Sequence, residues 1–203
     1  MLLAISQPDT PGHTSLPLST LEVEKVVHIV SSAGWPTEDI MCLNGLDATV
    51  DRVSSALGSC SWVHLACHGT QHATSGMQST FSLHNGDLDL GRIASKRLPN
   101  GQFAFLSACH TATGIKDLPG EAMHLAAAIQ FAGFKSVIAT MWEISENDTP
   151  IVASYTYNYL FRNGLRGCDP SEGAMALNHA VLHLRNDPDV TMDRWVPFIH
   201  FGI

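Results

Sequence analysis

Long apolar runs are missing from this chain, and every hydrophobic stretch is far shorter than the ~20 residues a membrane-spanning helix needs. Basic charge is scarce too. Eleven Lys and Arg stand against nineteen Asp and Glu, giving a net charge of −8, and the few bases are scattered. That excludes the clustered positive face of a nucleic-acid binder. No leader peptide is read at the start, because residues 1–6 are too short and run into Pro8 and Pro11. The cysteines form no framework: Cys42, Cys60, Cys67, Cys109 and Cys168 are odd in number and show no paired spacing. Free thiols suit a reducing compartment, so the expectation is a cytoplasmic protein. Internal repeats, low-complexity tracts and linkers are absent as well. With 203 residues, 45% of them hydrophobic, the chain is read as one domain over 1–203 with an ample core.

What is present alternates between strand and helix signals. Residues 2–6 read as a buried strand closed by a Pro/Gly turn cluster. Ser19-Thr20-Leu21-Glu22 offers a capping box, Ser at the cap and Glu three residues on. The helix it starts carries Val23, Val26, Val27 and Val30 on one face and stops near Gly34. A strand over 39–43, an amphipathic helix over 47–57 and a strand from Trp62 follow. This βαβαβ order demands a parallel sheet with right-handed crossovers. His84-Asn85-Gly86 then marks a hairpin, with Asp87 and Asp89 as turn and edge residues. A short helix over 91–98, the strand from Phe103, an Ala-rich helix over 120–132 and a strand over 136–142 come next. Two further helices, over 149–162 and 170–185, precede a final strand over 195–201, confined to an edge by Pro197.

The rest of the chain is organised around residues 102–114. Residues 103–106 are wholly apolar and suit a strand buried on both faces. That strand ends in Ser107-Ala108-Cys109, which places a thiol at its carboxyl end, where open α/β sheets put their ligands. The strand from Trp62 delivers His68-Gly69 to its own carboxyl end. If the two strands are neighbours, Cys109 and His68 have the relation of a nucleophile and its base. Alone, either residue would read as packing, since free Cys is among the most buried residue types; the pair at matched strand ends favours chemistry. Gly69 lets backbone approach the substrate, and its N–H with that of Cys109 is a candidate oxyanion site.

His64-Leu65-Ala66-Cys67-His68-Gly69 and Phe105-Leu106-Ser107-Ala108-Cys109-His110-Thr111, with Ala132-Gly133-Phe134, Met141-Trp142-Glu143 and the terminal Trp195-Val196-Pro197-Phe198, resemble the CHAT domain. This is a caspase-like, separase-related cysteine peptidase family often found beside tetratricopeptide repeats. The resemblance spans nearly the whole chain. It implies an α/β, caspase-like three-layer fold: a mostly parallel six-stranded sheet with helices on both faces and an edge strand at the C-terminus. It also implies a Cys–His dyad of Cys109 and His68, a protein or peptide substrate, and a regulatory repeat protein or a homodimer as partner. The implied function is an intracellular cysteine endopeptidase, the catalytic module of a regulated limited-proteolysis or cell-death and defence protein. The alternatives are a catalytically silent scaffold on the same fold, or hydrolysis or transfer of small thioesters by the same pair.

Other readings of these residues are weaker. His110 competes for the base, but a neighbour in an extended chain points elsewhere. His64 reads as a satisfied core histidine, or one that supports the site from behind, rather than a catalyst. Neither a metal nor a cofactor is expected, because adjacent Cys-His pairs lack zinc-ligand spacing. The pocket is read from Ser107, Trp142, Glu143 and Asp148. Metacaspase-like relatives carry an acid two residues before the cysteine, where this chain has Ser107, and the caspase signature Q-A-C-[RQG]-G is absent. Glu143 and Asp148 read more readily as solvated loop charges. An uncharged or apolar P1 residue is therefore expected, lined by Met141 and Trp142, with a basic P1 as the fallback.

Overall fold

The computed structural model describes residues 1–70, 72, 76–110 and 122–203, with 109, 110 and 122–124 described by their backbone alone. The loop read from Thr111 to Gly114 and the start of the helix read from Gly120 lie outside the described residues. Among these described residues, eight strands and seven α-helices follow in order: β1 Leu2–Ser6, α1 Leu18–Ser32, β2 Ile40–Asn44, α2 Val50–Leu57, β3 Trp62–Thr70, β4 Thr80–Leu83, β5 Gly86–Asp89 and α3 Leu90–Ala94. The second half holds β6 Phe103–His110, α4 Ala122–Ala132, β7 Ser136–Thr140, α5 Thr149–Leu160, α6 Gly173–Arg185, α7 Met192–Trp195 and β8 Phe198–Gly202. Among the described residues no helix is long and apolar enough to cross a membrane.

Six strands form the main sheet in the order β2-β1-β3-β6-β7-β8. All neighbours are parallel except β8, which runs antiparallel to β7 along the edge. Strand periodicity divides the core into two layers. Val63, Leu65, Cys67, Ala104, Leu106 and Ala108 face α2, α3 and α4. Trp62, Phe103, Phe105 and Ile138 face α1, α5 and α6, where Trp62 packs at a tilt against Phe103 at 4.7 Å between ring centroids. Both faces are therefore covered, which is why these strands read as continuous apolar runs. Gly133 ends α4 at φ +131°, and a Cβ there would lie 2.3 Å from the Leu98 carbonyl oxygen, so no other residue fits without shifting backbone.

Two differences from the sequence reading bear on the site. Strands β3 and β6 run on to Thr70 and His110, so His68 and Cys109 lie within strands rather than just past them. The cause is β4: where β1 stops at Ser6, opposite Ala66, β4 takes its place beside β3 in antiparallel pairing, His68 opposite Ser82 and Gly69 opposite Phe81. The hairpin is thus part of the sheet at its carboxyl edge. The second difference is the start of α1. The helix begins at Leu18 behind Pro17, and Ser19 lies inside its first turn, donating from Oγ to the Leu16 carbonyl at 2.7 Å. The expected capping box does not form. The carboxylate at this helix end belongs instead to Glu146, whose Oε1 accepts from the Leu18 N–H.

Candidate functional site

Strands β3 and β6 pair in parallel from Trp62 opposite Phe103 to Gly69 opposite His110, and this register sets His68 opposite Cys109. The two residues that the sequence singles out are thus direct neighbours in the sheet. Cys67 lies on the other face, buried in the layer against α2, α3 and α4. Gly69 also follows on that face. A Cβ there would come within 3.3 Å of Ala108 Cβ and 3.5 Å of Leu125 Cδ1, so packing as well as chemistry keeps the position small.

His68 is almost fully buried, at 1% exposure. Its Nε2–H donates to the Thr14 carbonyl oxygen at 2.7 Å. A carbonyl only accepts, so this bond fixes the neutral tautomer with the proton on Nε2. The lone pair on Nδ1 is buried and has no hydrogen-bond partner among the described residues. The His13 ring stacks on His68 at 4.7 Å between centroids. Burial pushes the His68 pKa down from the ordinary histidine value; the Thr14 bond pulls it up, the His13 charge pushes it down, and Glu143 and Glu146 pull it up. The net result is an imidazole held neutral. The loop over residues 7–17 that supplies Thr14 and His13 is tied to β3 by Gln7 N–H donating to the Ala66 carbonyl at 2.9 Å.

Beside this pair lies a polar cluster that strand and helix patterns alone do not reveal. Glu22, on the inner side of α1, is 1% exposed. Its Oε1 lies 3.0 Å from Nε2 of His64, and its Oε2 accepts from Ser107 Oγ at 3.1 Å. One carboxylate so joins β3, β6 and α1. His64 is a core histidine, stacked on Phe105 and edge-on to Tyr157, as its sequence reading expects. A cavity of about 10 Å³ opens beside the cluster, with room for roughly one water. Its walls include Leu16, Ser19 and Glu22 of the α1 region, Ala66 and Ser107 of the sheet, and Glu146. On the other side of His13, a groove of about 420 Å³ runs between the 7–17 loop and the β4–β5 turn, lined in part by Thr10, His13, His84 and Asp87.

Of the four pocket residues read from the sequence, only Ser107 lines the cavity. Trp142 is exposed, and its Nε1–H donates to the Asp193 carbonyl at 3.2 Å. Glu143 is exposed and acts on His68 only through its charge. Asp148 is not a solvated loop charge. It is fully buried and grips Arg194 with both oxygens, Nε to Oδ2 at 2.8 Å and Nη2 to Oδ1 at 2.5 Å. Arg194 arrives from α7, far along the chain, and only it makes burial of that carboxylate tolerable. Asp87 accepts from Ser82 and Asp89 caps α3. Glu22, Thr14, His13 and Glu146 are the residues that sequence reasoning missed. Glu22 carried a signal, an acid three residues after a candidate Ser19 cap, but that signal is the one a capping box gives. Among the described residues no three His, Cys, Asp or Glu side chains are grouped to hold a metal ion.

The thiols divide by environment. Burial pushes Cys60 up to about 12, and burial together with Asp169 and Glu172 does the same for Cys168. Burial also raises Cys42.

Comparison with known proteins agrees with this architecture. No curated protein matches the chain in sequence. Among solved structures, the Arg specific cysteine proteinase gingipain R superposes with a TM-score of 0.61 at 15% identity, over 99% of this chain and 45% of that one. A complex of the pro- and mature domains of Porphyromonas gingivalis RgpB gives 0.57 at 15% identity, over 100% of this chain and 47% of that one. Protein GSU0716 from Geobacter sulfurreducens gives 0.56 at 16% identity, over 100% of this chain and 93% of that one. The chain thus spans less than half the length of the two gingipain chains, and at these identities the likeness is one of fold. That fold is the caspase-like three-layer α/β arrangement. The CHAT domain family matches residues 1–203 from end to end, and the chain belongs to the CHAT family.

Proposed function

We propose that this domain is a cysteine peptidase in which Cys109 is the nucleophile and His68 the general base. The observation that carries the reading is the register of His68 opposite Cys109, combined with the Thr14 carbonyl that holds the His68 proton on Nε2. That bond leaves Nδ1 as the proton acceptor. In the proposed reaction the thiol proton passes to Nδ1 as sulfur attacks the scissile carbonyl carbon. The oxyanion is met by backbone N–H groups, those of Cys109 and Gly69 being the candidates. Nδ1 then gives the proton to the departing amine. Water, deprotonated by the same nitrogen, hydrolyses the thioester and restores the thiol.

The family context supports regulated, limited proteolysis in the cytoplasm, under a repeat protein or by homodimerisation. Cys42, Cys60 and Cys168, none of them in a disulfide, are consistent with a reducing compartment. The narrowness of the cavity beside the pair favours, as second reading, a silent scaffold on the same fold. Treating the chain with a panel of peptide chloromethyl ketones at neutral pH and mapping the modified thiol by mass separates the two. Selective modification of Cys109, with loss of peptide cleavage in Cys109→Ala, is expected; uniform or absent labelling favours the scaffold. The raised thiols at Cys42, Cys60 and Cys168 have little thiolate at that pH, so they form a quiet background.

A further inference from the structure

We propose that the groove between the 7–17 loop and the β4–β5 turn holds the amine-side half of a peptide substrate, the residues that follow the scissile bond, in extended form. This rests on the peptidase reading for its direction; that the groove takes peptide main chain stands on Thr10 and the strand register.

Register gives the direction. His68 pairs with Cys109 on one side and with Ser82 on the other, and Ser82 pairs in turn with Asp87. Cys109, His68, Ser82 and Asp87 thus occupy one row across β6, β3, β4 and β5. Direct partners on adjacent strands share a face, and Ser82 Oγ–H donates to Asp87 Oδ1 at 2.8 Å. In the proposed reaction the acyl half stays on sulfur while Nδ1 of His68 protonates the departing amine. The amine nitrogen therefore lies at His68, and the chain beyond it leaves along the row, away from Cys109. Three strand spacings separate Cys109 from Asp87, about 14 Å, which an extended chain spans in roughly four residues. Asp87 lines the groove, and so does His13, whose ring stacks on His68 at 4.7 Å.

Thr10 indicates what the groove is built to hold. It lines the groove yet is only 7% exposed, and its Oγ1 is buried with no hydrogen-bond partner among the described residues. A buried hydroxyl left unpaired is costly, and a valine would fill the same space without that cost. A peptide laid along the groove offers an N–H and a C=O at every residue, and a rotating hydroxyl pairs with either. Oγ1 is covered in the free protein, so the peptide reaches it by wedging the loop and the turn slightly apart. Otherwise the walls are set in advance. Val50 N–H donates to Asn85 Oδ1 at 2.8 Å and His84 N–H to the Ala48 carbonyl at 3.1 Å, which tie the turn to the start of α2. Leu16 N–H donates to the Pro8 carbonyl at 2.7 Å and closes the loop on itself. Walls fixed before binding lower the ordering cost of taking up an extended chain. The groove's volume of about 420 Å³ is an ordinary size for a ligand cleft.

The test uses the whole chain. A coumarin-amide library, which carries no residue after the scissile bond, first supplies a cleaved acyl half. That half is then joined to one alanine or to four in internally quenched peptides, and kcat/KM is compared. Four alanines should exceed one by roughly tenfold or more, since only the longer chain reaches Thr10 and Asp87. In Thr10→Val, which keeps the shape and drops the hydroxyl, that ratio should fall by roughly fivefold, the worth of one hydrogen bond. The same variant should melt no lower than wild type, because the hydroxyl it removes has no partner to lose. Equal kcat/KM for the two lengths, or a ratio that survives Thr10→Val, overturns the groove while the peptidase reading stands. A Thr10→Val protein that melts well below wild type, or does not fold, shows the hydroxyl already paired and overturns it too. If the coumarin library is not cleaved, chloromethyl ketone labelling of Cys109 judges the peptidase reading. The groove is then judged by titrating the isotope-labelled chain with tetra-alanine amide in an NMR experiment. Saturable shifts at Thr10, His84 and Asp87 sustain it, and their absence overturns it.

Discussion

Replacing Arg194 by Met removes the only cation that, among the described residues, holds Asp148, a side chain with no exposure to solvent. The fully buried partner is left charged, which is the costly half of breaking a buried pair. Such a break typically costs about 3–5 kcal/mol. Arg194 keeps 32% of its side chain in solvent, so the space it vacates admits some water to the carboxylate, and about 2–4 kcal/mol is the better expectation. For a domain of this length, each kcal/mol moves Tm by roughly 2–4 °C, so the melt should fall by roughly 4–16 °C. Asp148→Asn should cost less, because the amide oxygen still accepts one guanidinium N–H and the arginine can turn to solvent. Circular dichroism melts of the two variants and the double variant, at equal protein concentration, make the measurement. A drop below about 2 °C for Arg194→Met, or a larger loss in Asp148→Asn, would refute the reasoning. The result also separates roles: a purely structural Asp148 predicts no change in P1 preference in the folded Asp148→Asn protein.

His68→Ala should lower turnover by roughly 10²–10⁴, the range for a general acid–base group, whereas His110→Ala should cost far less; reversed losses would move the base to His110. The acid limb of kcat/KM should lie below the ordinary histidine value of about 6.5, since burial holds His68 neutral, and His13→Ala should shift that limb upward by removing a repelling charge and part of the cover; a limb near 7 in wild type would contradict this. Stability follows the same group: the unfolded chain takes up a proton below about 6.5 that folded His68 resists, and His200 is lowered by burial likewise, so urea midpoints should fall as pH drops through that value and down to the folded pKa values. Gly133→Ala should destabilise by about 2 kcal/mol or more, because its Cβ would meet the Leu98 carbonyl at 2.3 Å in a left-handed backbone; a neutral outcome in a urea melt would mean that the α3–α4 junction yields easily.

The fold was legible because its signals are local. Residues 2–6, 62–67 and 103–106 are short apolar runs of strand length, and a sheet covered on both faces produces that pattern and little else. Right-handed βαβ connections then left few topologies to choose from. Boundaries were less legible where a partner elsewhere extends an element. β3 continues to Thr70 because β4 arrives to pair with it, and nothing within residues 62–70 announces that arrival. Asp148 was misread for a similar reason. An acid before Thr149-Pro150 is the usual sign of an exposed helix start, and only Arg194, 46 residues on, turns it into a buried ion pair.

At the site the same division holds, and it explains the P1 reading. Cys109 and His68 announce themselves, each at the end of an apolar run, and Ser107 is visible as a missing acid. That Ser107 donates to a carboxylate 85 residues away was not visible, so a pocket without an acid on β6 looked like a pocket without charge. Glu22 had an innocent use, capping α1, and the structure withdraws it: the helix starts two residues earlier, behind Pro17, and Glu146, from across the fold, meets its first N–H. With that use gone, packing gives no reason for Glu22, His64 and Ser107 to be polar, since Val23, Phe105 and Ala66 beside them bury well without charge. Apolar side chains of similar size commonly replace a buried polar cluster at no loss in stability. The cluster therefore weakens the case for a silent scaffold, which would need only the packing.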